Sequence, residues 1–119
     1  MKLSVNKEQI IEGLQKAAAI IPAKAGAAYL RSIWLKAEQG SLSIMATDAN
    51  IEFTGRYPAE VKQPGLIGVQ GRAFVDLVRQ LPAGVLQLTL DEGTGNLLLE
   101  QGRRTYKLPV SGAEWFQNF

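Results

Sequence analysis

The chain has 119 residues, 46% of them apolar, with 13 basic and 11 acidic side chains for a net charge of +2. This is enough for one domain with its own core, and too balanced for bulk electrostatic capture of nucleic acid. It contains neither Cys nor His, which excludes disulfides, thiolate metal sites and the commonest general acid–base group.

The segment Met1 to Lys7 has no signal-like apolar run, and no stretch approaches the ~20 apolar residues of a membrane helix. A cytoplasmic protein without membrane contact is the expectation. Lys2 to Asn6 alternates, with Leu3 and Val5 on one face, and predicts a short strand. Asn6 is placed to cap the helix that follows. From Lys7 to Ile21 the apolar residues Ile10, Ile11, Leu14, Ala17, Ala18 and Ile21 recur at helical spacing, and Pro22 ends the run. Gly13 lies inside this helix, at a cost of about 1 kcal/mol relative to Ala. Ala23 to Ala28 is small, with Lys24 as its only charge.

Three strand-like runs come next, Tyr29 to Ala37, Ser41 to Thr47 and Ile51 to Tyr57, separated by turn signals at Gln39-Gly40 and Asp48-Ala49-Asn50. Pro58 to Pro64 reads as a connector and Gly65 to Val69 as a strand. Gly71 to Leu81 predicts a second helix, with Phe74, Leu77, Val78 and Leu81 on one face, stopped by Pro82-Ala83-Gly84. Val85 to Leu90 alternates. Asn96 to Glu100 and Arg103 to Val110 pair across Gln101-Gly102, with Pro109 ending the last strand.

The order of elements is strand, helix, three strands, and then the same again. At a shift of 64 residues, Val5 falls on Val69, Ile10 on Phe74, Ile11 on Val75 and Leu14 on Val78. Few identities survive, and the repeated order is the stronger sign of duplication. The fold class is α+β, a duplicated βαβββ unit with two helices packed on antiparallel sheets.

The helices' outward faces then share one surface. On the second helix that face holds Arg72, Asp76, Arg79 and Gln80; on the first it holds Glu8, Gln9, Glu12 and Lys16. Arg72 and Arg79 are seven residues apart and project from nearly the same side. A solvated helix face is the plain reading of this pair. The functional one is a phosphate-contacting pair, because guanidinium forks suit phosphate oxygens.

Several segments resemble the beta subunit of bacterial DNA polymerase III, the sliding clamp family. They are Met1-Lys2-Leu3-Ser4-Val5, Gln39-Gly40-Ser41-Leu42-Ser43-Ile44 with Thr47-Asp48, Arg72-Ala73-Phe74 running into Leu81-Pro82-Ala83-Gly84, and Gln101-Gly102-Arg103 with Tyr106 and Leu108. The resemblance covers essentially the whole chain and implies the first of three domains of a longer subunit. It further implies a head-to-tail homodimer forming a ring, helices inside and sheets outside, around double-stranded DNA. Replicative polymerase and clamp loader would be met mainly through the other domains, with no cofactor, metal or catalytic residue.

Residue by residue, the resemblance assigns DNA contact to Lys24, where Arg is usual, and to Arg72; Ala73 and Ala25 to Tyr29 depart from the family pattern. It assigns the joint with a second subunit's C-terminal domain to the last strand. Tyr106 and Leu108 are its apolar positions, Arg103 a basic one, and Arg104 and Lys107 keep the strand cationic, while Thr105 departs from a common basic residue.

An edge strand protected by charge is the alternative reading of the same residues. Asp48 reads as a turn cap and Trp34 as core. Trp115 and Phe116 either cover the domain's end or face another domain. A stand-alone RNA-recognition sheet lacks its interleaved aromatics, and a small enzyme lacks converging titratable groups.

Overall fold

The computed structural model describes residues 1–21, 31–112 and 116. In chain order the elements are β1 (Lys2–Asn6), α1 (Lys7–Ile20), β2 (Ser32–Glu38), β3 (Ser41–Thr47), β4 (Glu52–Pro58), β5 (Glu60–Gln63), β6 (Gly65–Gln70), α2 (Gly71–Gln80), β7 (Val85–Asp91), β8 (Asn96–Gln101) and β9 (Arg104–Ser111). Among the described residues the strands form one nine-stranded sheet in the order β4-β3-β2-β6-β9-β8-β7-β1-β5. Every pairing in it is antiparallel.

The two halves exchange their first strands. β1 pairs with β7 of the second half, Leu3 opposite Leu88 and Val5 opposite Leu86. β6 pairs with β2 of the first half, Ile67 opposite Leu35 and Val69 opposite Ile33. The residues related by the 64-residue shift thus occupy equivalent registers, and the exchange makes two βαβββ units into one sheet. The segment 58–64, expected as a connector, contains β5, which pairs with β1 through Val61 opposite Leu3 and Glu60 opposite Ser4.

Each helix buries one stripe on this sheet. α1 buries Ile10, Gly13, Leu14 and Ala17; α2 buries Gly71, Phe74, Val75 and Val78. Full burial of a large aliphatic or Phe side chain contributes about 1.5–3 kcal/mol, so these stripes, and not helix propensity, hold the helices in place. The helices end alike. The Ile21 N–H donates to the Ala18 carbonyl, and the Leu81 N–H donates to the Val78 carbonyl. Pro22 and Pro82 follow in sequence. α1 has 14 residues and α2 has 10, so the repeat shift of 64 at Ile10/Phe74 becomes 60 at Ile21/Leu81. The four-residue difference is about one helical turn.

Asn6 does not cap α1 with its side chain. At α2 one of the first N–H groups is capped by a side chain: Gln70 Oε1 accepts from the Ala73 N–H at 2.7 Å. Gly13 has a packing reason. A Cβ there would stand 2.1 Å from the Tyr57 hydroxyl, and one at Gly55 would stand 2.3 Å from it, so the ring of Tyr57 lies over both glycines.

Trp34 is fully buried on the sheet face turned away from the main core, since Ile33 and Leu35 beside it face that core. Its ring covers Gly68, where a Cβ would come within 2.9 Å. Phe116 packs edge-on against it with ring centroids 5.2 Å apart. Phe116 therefore covers the sheet's outer face; Trp115 lies outside the described residues.

Candidate nucleic-acid interface and joining edge

α1 and α2 lie side by side, and the groove between them is lined by Gln15, Ala18, Ala19, Arg72, Asp76 and Arg79. Arg72 and Arg79 are both exposed on the wall formed by α2. The fold therefore brings together the two arginines that helical spacing had paired. Lys24 lies outside the described residues.

Each helix start is tied to the other helix's end. Arg72 Nη2 donates to the Ile21 carbonyl at 3.2 Å, closing the C-terminus of α1. Lys7 Nζ, from the first residue of α1, donates to the carbonyls of Arg79 (3.1 Å) and Leu81 at the C-terminus of α2. Glu8 adds a bond by accepting from the Gly84 N–H at 2.5 Å. Cations at helix C-termini satisfy carbonyls that have no partner within the helix and oppose the negative end of the helix dipole. Arg72 is thus partly committed within the domain, and a guanidinium retains further N–H donors for an anion. Sequence reading missed Lys7 because its partners lie 72 and 74 residues away, beyond any local signal.

The other charges of this surface are largely matched. Lys16 and Glu12 pair at 2.9 Å in solvent. That contact raises the Lys16 pKa and lowers that of Glu12, through the shared hydrogen bond first and Coulomb attraction second. Arg79 stands 4.0 Å from Asp76 with both side chains more than half exposed, a geometry that holds neither firmly. Among the described residues, Arg79 and Arg72 are the cations lining the groove.

Asp48 closes its turn: Oδ1 accepts from the backbone N–H groups of Ile51 (2.6 Å) and Asn50 (2.8 Å). These bonds, the one from Ile51 foremost, lower its pKa. Ala49 in this turn has φ +82°. Among the described residues no three acidic side chains converge as a metal site.

The last strand differs from the simple edge that was expected. β9 is an interior member of the sheet order, because Val110 and Ser111 pair with Val69 and Gly68 of β6. β6 then turns into α2 at Gly71 and leaves the sheet. Arg104 to Leu108 pair with β8 on one side, and among the described residues no strand flanks them on the other.

Arg103 is exposed in the turn; Arg104, Thr105 and Lys107 are exposed along the strand; Tyr106 is half-buried against the core. Leu108 is only 8% exposed and belongs to the domain's own core. Pro109 does not end the strand, which runs on to Ser111.

The chain matches the family model described as DNA polymerase III beta subunit, N-terminal domain, over residues 1–119. It is 31% identical over 111 residues to the beta sliding clamp of Streptomyces coelicolor, covering 92% of this chain and 30% of that protein. It is 30% identical over 119 residues to the beta sliding clamp of Vibrio cholerae, covering 99% and 32%. Among solved structures, the pol III beta of Caulobacter crescentus superposes with a TM-score of 0.94 at 28% identity, covering all of this chain and 32% of that one. The DNA polymerase III subunit beta of Pseudomonas aeruginosa superposes with a TM-score of 0.92 at 26% identity, again over 100% of this chain and 32% of that one. The chain spans about a third of the length of the relatives it matches. With its exchanged βαβββ halves and paired helices, this chain belongs to the DNA polymerase III beta subunit family, matching its N-terminal domain.

Proposed function

We propose that this chain serves as one domain of a ring-shaped sliding clamp, non-catalytic, that encircles double-stranded DNA and keeps a replicative polymerase on its template. The central and C-terminal domains of such a subunit would lie outside this chain. The observation that carries the reading is the full-length match to the family's N-terminal domain. The groove where Arg72 and Arg79 stand together supports it.

In this reading α1 and α2 face the duplex, and Arg72, Arg79 and Lys24 contact phosphates without reading bases. β9 joins the C-terminal domain of a second subunit head to tail through Arg103, Arg104, Tyr106, Lys107 and Leu108. Topological linkage supplies persistence, so the contacts must be few for the ring to slide. Each neutralised phosphate adds about −0.9 to the slope of log affinity against log salt.

Titration of the chain with duplex DNA over a salt series tests this. Weak binding is expected, indifferent to sequence, with a slope of about −2 to −3 that falls by about 2 in the Arg72→Gln, Arg79→Gln double variant. Tight or sequence-specific binding by the 119-residue chain would refute it.

A further inference from the structure

The two helices carry the basic side chains Lys7 and Lys16 on α1 and Arg72 and Arg79 on α2, against the acidic Glu8, Glu12 and Asp76. Each of these cations has a partner inside the domain. Lys7 and Arg72 donate to helix-end carbonyls, which are neutral groups and leave the positive charge in place. Lys16 and Arg79 stand beside carboxylates instead, 2.9 Å from Glu12 and 4.0 Å from Asp76. Glu8 is turned to the Gly84 N–H at 2.5 Å.

Asp76 comes four residues after Arg72 and three before Arg79, so the three side chains share one stripe of α2. All three line the groove between the helices. A phosphate drawn to the two guanidinium groups therefore meets a carboxylate between them. Asp76 and Arg79 are both more than half exposed, as are Glu12 and Lys16, so these pairs contribute little to folding. The opposite faces of the helices are the ones buried on the sheet.

We propose that Asp76, seconded by Glu12 on α1, is a counter-charge of the helix surface that weakens its hold on phosphate. The inference rests on the DNA-facing role given to the helices above and adds the residues that limit the contact. Each phosphate a cation neutralises adds to affinity, and a contact must be broken before the duplex can shift along it. A carboxylate among the cations subtracts from both. Its repulsion acts through space, so the pair with Arg79 need not be tight.

Duplex DNA is titrated with the unaltered chain and with Asp76→Asn over a salt series. Affinity at low salt is expected to rise about fivefold, and the salt slope to steepen by up to about 0.9. Glu12→Gln should act in the same direction, by about twofold to threefold, through release of Lys16. Glu38→Gln is the matched control. It breaks the exposed Lys36–Glu38 pair, 3.0 Å, which alternation along β2 puts on the Trp34 face of the sheet. It removes the same unit of charge and should change affinity by less than about twofold. In the Arg72→Gln, Arg79→Gln background, Asp76→Asn should likewise gain less than about twofold.

All variants should keep the circular dichroism of the unaltered chain; Asp76→Ser replaces Asp76→Asn if the latter does not fold. No gain for the folded Asp76 variant, or an equal gain for Glu38→Gln, would overturn the counter-charge and leave the helices as the DNA-facing surface. An undiminished gain without the two arginines would overturn the coupling of Asp76 to them. A salt slope left unchanged by Arg72→Gln, Arg79→Gln would overturn the DNA-facing surface itself.

Discussion

Gly13→Ala sets helix propensity against packing, and the geometry decides the sign. In an exposed helix interior the change is stabilising by about 1 kcal/mol. At Gly13 the new Cβ would stand 2.1 Å from Tyr57 Oη, 2.4 Å from Cζ and 2.8 Å from Cε2, against an ordinary carbon contact of about 3.5–4.0 Å. The ring cannot settle closer to the strand, because Gly55 already lies beneath it. It must swing outward and lose much of its burial, at a cost of about 2–3 kcal/mol.

The net expectation is destabilisation of about 1–2 kcal/mol, read as a lower midpoint in chemical denaturation and a fall of about 4–10 °C in Tm. In a Tyr57→Ala background the obstacle is absent, and the same substitution should stabilise by up to about 1 kcal/mol. A raised midpoint for Gly13→Ala alone would refute the packing argument. Equal destabilisation in both backgrounds would show that Tyr57 is not the obstacle.

Lys7→Met should lower stability by about 1 kcal/mol in denaturant titration, because the Arg79 and Leu81 carbonyls lose a charged donor and the end of α2 loses its cation. Unchanged stability would mean that solvent serves those carbonyls equally well. Asp48, whose pKa is lowered by the Ile51 and Asn50 N–H groups, should titrate below the ordinary aspartate range by NMR. Its folded value is depressed, so its contribution to stability is complete above the ordinary aspartate pKa and is lost as pH falls through the depressed one. Asp48→Ala should remove that acid-side dependence, and a variant whose acid unfolding profile matches the unaltered chain would contradict the assignment.

Much of the fold was legible because it is written in local periodicity. The stripe Ile10, Leu14, Ala17 and the stripe Phe74, Val78 each report one buried helix face, and a helix face depends only on residues three and four apart. The alternation of β7 to β9 and the glycine turn at Gly102 were readable for the same reason. Asp48 could be read as a turn cap because its hydrogen-bond partners lie two and three residues away. Arg72 and Arg79 could be paired because seven residues make two turns of one helix.

Leu108 shows where such reading stops. Alternation places it on the face with Tyr106, but its 8% exposure makes Leu108→Asp a test of folding before it is a test of any joint. That Arg104 to Leu108 have no flanking strand on one side among the described residues was likewise invisible in sequence, since it follows from β6 departing into α2 at Gly71.

By itself, the sequence determined the element types, the helix stops at Pro22 and Pro82, the duplication, the absence of His and Cys chemistry, and the resemblance that names the family. These depend on neighbours along the chain or on composition. Tertiary structure alone decided that β1 and β6 change halves, that Lys7 and Arg72 tie each helix's start to the other's end, that Tyr57 requires Gly13, and that β9 meets β6 through Val110 and Ser111. Each of these pairs residues dozens of positions apart, and their meeting follows from which strands become neighbours when two amphipathic halves bury their apolar faces in one core.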